Sequence, residues 1–217
     1  PKTGVFGLYD LIGIDLMADV LKSFIKELPE SDPFQPVAKE MPLVKKLIET
    51  GYTGRKGKGG FYRMNKEGGK KILEAINLET GEYSPSKKID IKSEKVDLKK
   101  LINRGDKYGD YAWSVISKII KYSSSLVPGI TDKFNDIDEA MRLGFNWSRG
   151  PFEMLKEIGV NNFFQKIDNF EGNKFLEDLS KSKDENFYGE RQQYTEIETL
   201  GKIKPRALKL DKNNSAE

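Results

Sequence analysis

One stretch has residue types suited to holding a charged ligand: Gly54-Arg55-Lys56-Gly57-Lys58-Gly59-Gly60-Phe61-Tyr62. Glycines let a backbone close around a phosphate, and neighbouring Arg and Lys side chains add positive charge. The pattern departs from a Walker loop at two points. Gly57-Lys58 is not followed by Ser or Thr, and the next residues, Phe61-Tyr62-Arg63-Met64, read as a strand where a helix is required. A tight basic turn feeding a strand is the plain reading. Contact of Arg55, Lys56 or Lys58 with the phosphates of a large ligand is the functional one. No catalytic set assembles beside them. The 217 residues include no His and no Cys, which removes Ser-His-Asp, Cys-His and His-Glu chemistry, thiolate metal sites and disulfides. Carboxylate-only mechanisms survive, but the sequence advertises no cleft for them. The expected catalytic, cofactor-binding and metal-ligating residues are none.

The charge is nearly balanced, with 37 Lys and Arg against 34 Asp and Glu and a net charge of +3. Such a composition describes a solvated surface. A nucleic-acid interface would need the basic residues gathered on one side, so that reading ranks last. No apolar run approaches the roughly 20 residues of a membrane span, and no signal peptide is visible. A cytoplasmic setting fits both facts and the lack of Cys.

A longer pattern, Asp136 to Gly159, predicts helix, turn, helix. Asp136 and Glu139 have capping-box spacing. Ile137, Ala140, Met141 and Leu143 form an apolar stripe, and Gly144 suits a left-handed cap. Gly150-Pro151 opens a second helix, with Phe152, Leu155 and Ile158 inward and Gly159 as its end. That second helix recurs without gaps near the start of the chain, where Gly4 to Asp15 aligns with Gly150 to Asn161. The first copy has no counterpart of the capped helix that precedes Gly150. A lone amphipathic helix cannot bury its face, so a segment upstream is expected, and Pro1 in place of Met fits an excised piece.

The remaining pattern is mainly helical. Asp15 is placed to cap a helix carrying Leu16, Met17, Val20, Leu21, Phe24, Ile25 and Leu28, and Pro29 ends it. A Pro-rich loop leads to a short helix from Pro42 to Gly51. Phe61 to Pro85 alternates, with turns at Lys66–Gly69 and Leu78–Gly81, and predicts a three-stranded antiparallel meander. A polar, Lys-rich join follows, to about Lys95. Leu98 to Gly105 predicts a short helix, and Asp106 caps a longer one with Tyr108, Tyr111, Ala112, Val115, Ile116, Ile119 and Ile120 on one face. Two more short helices carry Phe163–Phe170 and Phe175–Leu179. Phe187–Ile197 and Lys202–Leu210 predict a closing hairpin, with a frayed end after it.

DIDEAMRLGFNWSRGPFEMLKEIG resembles the DID-x-AM-x-x-G…GPF-x-x-x-D-x-x-G signature in the C-terminal domain of 3-hydroxyacyl-CoA dehydrogenases. PKTGVFGLYDLIGID resembles a second copy of the same signature, and GYTGRKGKGGFYR resembles the G-x-x-GRK-x-GKGFY segment that closes the first unit. The resemblance spans residues 1 to about 180. It implies a mainly α fold, 6-phosphogluconate dehydrogenase C-terminal-like, in two tandem copies with a small β meander inserted and a β-hairpin tail. The implied domains are residues 1–63, 64–95, 96–182 and 183–217. The tandem form resembles the bacterial dehydrogenase/enoyl-CoA hydratase fusion enzymes of fatty acid β-oxidation. Implied for the parent are an acyl-CoA substrate, NAD bound by an upstream Rossmann domain, a hydratase-like module downstream, and a possible homodimer. The family's catalytic Asn-Arg step falls on Trp113-Ser114 in the second copy, and Asp10 keeps a family Asp that is Lys156 there. These departures imply a fragment inactive by itself. The alternative is a non-catalytic helical dimerisation or association module.

Overall fold

A computed structural model of the chain describes residues 3–87, 97–188, 193–198 and 202–207. The chain divides into two compact units, Pro1–Lys92 and Ser93–Glu217. The Lys-rich join and the residues after the closing hairpin lie outside the described residues. The fold is mainly helical, with a small antiparallel meander and a separate hairpin.

Unit 1 holds α1 (Val5–Ile12), α2 (Ile14–Glu27), α3 (Pro42–Glu49), β1 (Tyr62–Asn65), β2 (Ile72–Ile76) and β3 (Tyr83–Pro85). A single residue, Gly13 at φ 121° and ψ 123°, turns α1 into α2. Helix α2 therefore starts at Ile14, one residue before the expected cap, and Asp15 sits in its first turn, where a carboxylate favours the positive end of the helix. Pro42 opens α3 as expected, and Gly51 at φ 80° follows its C-cap. The meander runs β1–β2–β3, with Tyr62 opposite Ala75 and Ala75 opposite Ser84. The buried core is small: Ile14, Leu47 and Phe61, with Tyr9, Leu43 and Tyr52 packed around them. The expected core-facing stripe of α2 is largely outside it, with Leu16 and Phe24 each about half exposed.

Unit 2 holds α4 (Leu98–Ile102), α5 (Lys107–Ser125), α6 (Phe134–Phe145), α7 (Pro151–Ile158), α8 (Val160–Lys166), α9 (Lys174–Ser182), β4 (Gln193–Glu198) and β5 (Lys202–Ala207). Asp106 caps α5 as predicted, accepting from the amides of Tyr108 and Gly109. The inward face of α5 is Ala112, Trp113, Ile116 and Ile120, while Tyr108, Tyr111 and Val115 are exposed. The final strands pair antiparallel, with Thr195 opposite Pro205. Each lies on an edge, where Pro costs no ladder bond.

Helix α6 corrects the sequence reading at both ends. It begins at Phe134, two residues before Asp136, and continues through Gly144 to a left-handed cap at Asn146 (φ 53°). The Asp136–Glu139 pair lies inside the helix, and Thr131 Oγ1 accepts the Lys133 amide instead. The inward stripe is Phe134, Ile137, Asp138 and Met141, whereas Leu143 is 78% exposed. Burial of Phe134 sets this phase. Its ring is fully buried and lies 5.1 Å from Phe152, 5.6 Å from Phe175 and 5.7 Å from Phe187. Each such ring contributes about 1.5–3 kcal/mol through burial.

One polar group enters that core. Asp138 is fully buried, and its carboxylate accepts the amides of Phe152 at 2.8 Å and Glu153 at 3.0 Å, the first turn of α7. The Tyr188 hydroxyl also bonds it, and Arg142 joins Tyr188 to Glu153. Gly150 is required here, because a Cβ would fall on the Asp138 carboxylate. Burial pushes the Asp138 carboxyl up to about 6, against the opposing pull of the two amides and Tyr188.

The folded state thus holds the Asp138 proton more tightly than the unfolded chain. Its contribution is full below pH 4 and is lost as pH rises through about 6. Both Trp residues, Trp113 and Trp147, lie in unit 2 and report its unfolding. Urea titrations followed by their fluorescence should show stability falling across that window by at most about 3 kcal/mol. Asp138→Asn should flatten that slope. Gly150→Val should cost about 2 kcal/mol or more at any pH, because the carboxylate has to leave its amides.

Candidate functional site

The basic turn of unit 1 is built on the C-terminal half of α1. Asp10 is buried and does two jobs. Its carboxylate accepts the Phe61 amide through Oδ1 and the Tyr62 amide through Oδ2, both at 2.8 Å. Its main-chain carbonyl accepts the Arg55 amide at 2.7 Å. Both ends of the turn are therefore pinned to one residue. Gly60 has no room for a side chain, since a Cβ would collide with Asp10 Oδ1, and a Cβ on Gly54 would come within 2.5 Å of the Asp10 carbonyl. The spacing of glycines that suggested a phosphate cradle thus has a local cause: the backbone passes directly over a buried carboxylate.

The remaining amides of the turn are largely spent within it. Gly54 N–H reaches Gly59 O at 2.7 Å, Gly57 N–H reaches Gly54 O at 3.0 Å, and Lys58 N–H reaches Gly51 O at 3.2 Å. The turn leads into β1, with no helix whose N-terminus could add an anion site. It does not fit the pyrophosphate of a dinucleotide, which needs a row of free amides at a helix start. Its free functionality is side-chain charge. Arg55, Lys56 and Lys58 are all exposed at its rim, and Lys58 Nζ also donates to Thr50 O at 3.1 Å. The structure therefore brings the three sequence candidates together on one turn.

Behind the turn stands a polar network that sequence reading did not single out. Arg63 Nε donates to Glu74 Oε2 at 2.7 Å, its guanidinium stacks 4.0 Å from the Tyr83 ring, and Nη1 reaches Tyr52 at 3.4 Å. Asn65 bonds the other Glu74 oxygen at 3.0 Å. Those bonds, Asn65 first and then Arg63, lower the Glu74 carboxyl below its ordinary value. Tyr83 donates to Gly60 O, and burial raises its hydroxyl to about 12. The network fixes the exit of the turn to β2 and β3. Its signal in sequence was cross-strand pairing of Arg63 and Glu74, visible only once the register was known.

Among the described residues, no group of three acidic, His or Cys side chains could hold a metal, and no helix is long and apolar enough to cross a membrane. Among the described residues, the second unit has no glycine-rich basic turn. Lys156 stands at the position of Asp10 and lies 5.8 Å from the Tyr188 ring. Trp113 packs edge-on to Phe163 at 5.6 Å.

Residues 1–64 match the family model of the 3-hydroxyacyl-CoA dehydrogenase C-terminal domain. Over 84% of its length the chain is 39% identical to a putative fatty acid oxidation complex trifunctional enzyme of Rickettsia felis, covering 26% of that protein. It is 43% identical over 77% of its length to the protein of the same description in Rickettsia prowazekii, covering 23% of it. A probable 3-hydroxyacyl-CoA dehydrogenase of Bacillus subtilis is 29% identical over 87% of the chain, which covers 24% of that relative. The chain thus spans about a quarter of the length of these relatives. No solved structure matches it. The glycine turn clamped by Asp10 lies within residues 1–64, the part of the chain that matches the C-terminal domain of the 3-hydroxyacyl-CoA dehydrogenases.

Proposed function

We propose that this chain serves as the substrate-cleft and packing domain of an NAD-dependent 3-hydroxyacyl-CoA dehydrogenase, which converts L-3-hydroxyacyl-CoA to 3-ketoacyl-CoA in fatty acid β-oxidation. The observation that carries the reading is the family match over residues 1–64, which includes Asp10 and the turn it holds. The trifunctional-enzyme names of the Rickettsia relatives support a parent with further modules, in this reading an upstream Rossmann domain, which would bind NAD, and a downstream hydratase-like module in a cytoplasmic protein. Within that parent, Arg55, Lys56 and Lys58 offer exposed charge to the phosphates of CoA. The rigid clamp beneath them holds the turn still, so that binding costs little ordering of the backbone. Unit 2 is a duplicate with a packing role, since Trp113, where the resemblance places the catalytic Asn, packs against Phe163 and the core of the unit.

Two measurements test this. The purified chain, mixed with L-3-hydroxyacyl-CoA and NAD, should produce no NADH absorbance at 340 nm; turnover would end the proposal of an inactive fragment. Titration with free CoA should show weak binding that falls as salt is added. The double variant Arg55→Ala/Lys56→Ala should weaken it several-fold, as expected for two exposed charge contacts of about 0.5–1 kcal/mol each. Salt-independent binding, or no change in the variant, would remove the turn from the substrate site. The second reading, a helical association module, is favoured by the exposed apolar residues of α1 and α2. Sedimentation across a concentration series distinguishes it, because an association module must self-assemble in proportion to its concentration.

A further inference from the structure

The β meander of unit 1 is patterned inside out. Tyr62 stands opposite Ala75 and Met64 opposite Leu73, so alternation puts these four side chains on one face. Arg63, Asn65, Glu74 and Ile76 share the other. That second face is the inner one: Ile76 packs against the core of Ile14, Leu47 and Phe61, and Glu74 is buried. An antiparallel sheet with one packed face turns its apolar residues inward and its polar ones to water. Here the polar residues are inside, with Arg63 and Asn65 both bonded to Glu74. The apolar set is outside, with Met64 49%, Leu73 47% and Tyr62 36% exposed.

The charges beside this apolar face are nearly all of one sign. Lys66, Lys70 and Lys71 lie in the turn that joins β1 to β2, at the end of the sheet that carries Met64 and Leu73. Lys87 comes to the same end, because the amide of Ser86 before it donates to Leu73 O at 2.8 Å. All four lysines are exposed. Between residues 62 and 73 the only carboxylate is that of Glu67. The occupant follows from this pairing of charge and apolar surface. A second copy docked symmetrically would set the same lysines against these, and like charges repel. Two rows of two side chains on an open sheet do not enclose a single acyl chain, which needs a concave wall. An anionic bilayer supplies what the face lacks: phosphates for the lysines, an acyl boundary for Met64 and Leu73, and the interfacial layer that Tyr favours.

We propose that the tip of the meander is a docking surface for an anionic phospholipid bilayer, with Met64 and Leu73 reaching the acyl boundary and Lys66, Lys70, Lys71 and Lys87 among the lipid phosphates. The contact is peripheral, since no helix among the described residues is long and apolar enough to cross a membrane. It uses none of Arg55, Lys56 and Lys58, so it stands or falls independently of the CoA reading of the basic turn.

Flotation of the purified chain with lipid vesicles tests this. Vesicles of phosphatidylcholine and phosphatidylglycerol in equal parts should carry the chain upward, and vesicles of phosphatidylcholine alone should leave it behind. Binding should fall several-fold between about 0.05 and about 0.5 M salt, as the screening length shrinks. Met64→Ser/Leu73→Ser should weaken it about tenfold or more, since two apolar side chains no longer enter the boundary. Leu143→Ser, at a residue 78% exposed in unit 2, should not. The chain has no Cys, so Met64→Cys and Leu143→Cys each give one site for an environment-sensitive dye. The dye at position 64 should shift to the blue with the mixed vesicles, and the dye at position 143 should not. This second readout leaves Leu73 and the four lysines in place, and it decides the matter even if the double Ser variant misfolds. No flotation with the mixed vesicles, equal flotation with both kinds, binding indifferent to salt, or an unshifted dye at position 64 would overturn the proposal. So would a dye at position 64 that responds to polyglutamate and not to the vesicles, which would assign the face to an acidic protein.

Discussion

Several helix starts and one strand entry among the described residues are fixed by which oxygen takes their amides. Backbone N–H groups removed from water have to be paired, and an unpaired one costs as much as a lost hydrogen bond. Here the acceptor is repeatedly a carboxylate or side-chain amide from a distant or adjacent segment: Asp138 for α7, Glu185 for α8, Asp106 for α5, Asn173 for α9, and Asp10 for the entry to β1. A carboxylate accepting two amides fixes both distance and direction between segments. The hydrophobic contacts then fill the space so defined. This explains why the acidic residues of the chain, numerous as they are, divide into a solvated majority and a few that are buried and structural.

The same requirement accounts for the glycines that pack closest. Where a carboxylate or carbonyl lies against backbone, no side chain fits above it, and Gly60, Gly150, Gly109 and Gly54 stand at those points. The basic turn therefore combines two unrelated properties. Its glycines answer a packing demand from Asp10 below, and its cations face outward. A sequence motif that looks like one functional device is a structural clamp carrying an exposed charged rim.

Much of this was legible in the residues. The helix corner repeated at Gly4 and Gly150, Asp106 as a cap, the three-stranded meander and the closing hairpin all follow from spacing and turn chemistry. Two features were hidden for physical reasons. Asp138 sits on the inward face of α6, and a polar residue in an apolar stripe breaks the pattern by which stripes are recognised; Leu143 filled the stripe on paper and lies in solvent. The start of α6 was displaced because burying Phe134 outweighed the capping preference of Asp136. The ligand of the basic turn has no such geometric signature, because exposed Arg and Lys side chains carry charge without a fixed direction.

The one-residue corners at Gly13 and Gly159 bear on how these sequences can drift in length. Adding a residue at such a corner would rotate the following helix by about 100°, turning Ile14 or Val160, both fully buried, out of the interior. Insertions and deletions are therefore barred at the corner and displaced to the next connection. Beyond the corner the two units differ, α2 having 14 residues against 7 in α8, with residues 28–41 joining α2 to α3 and residues 167–173 joining α8 to α9. The corner acts as a ruler of the same one-residue length in both units, and the chain after it is free to vary.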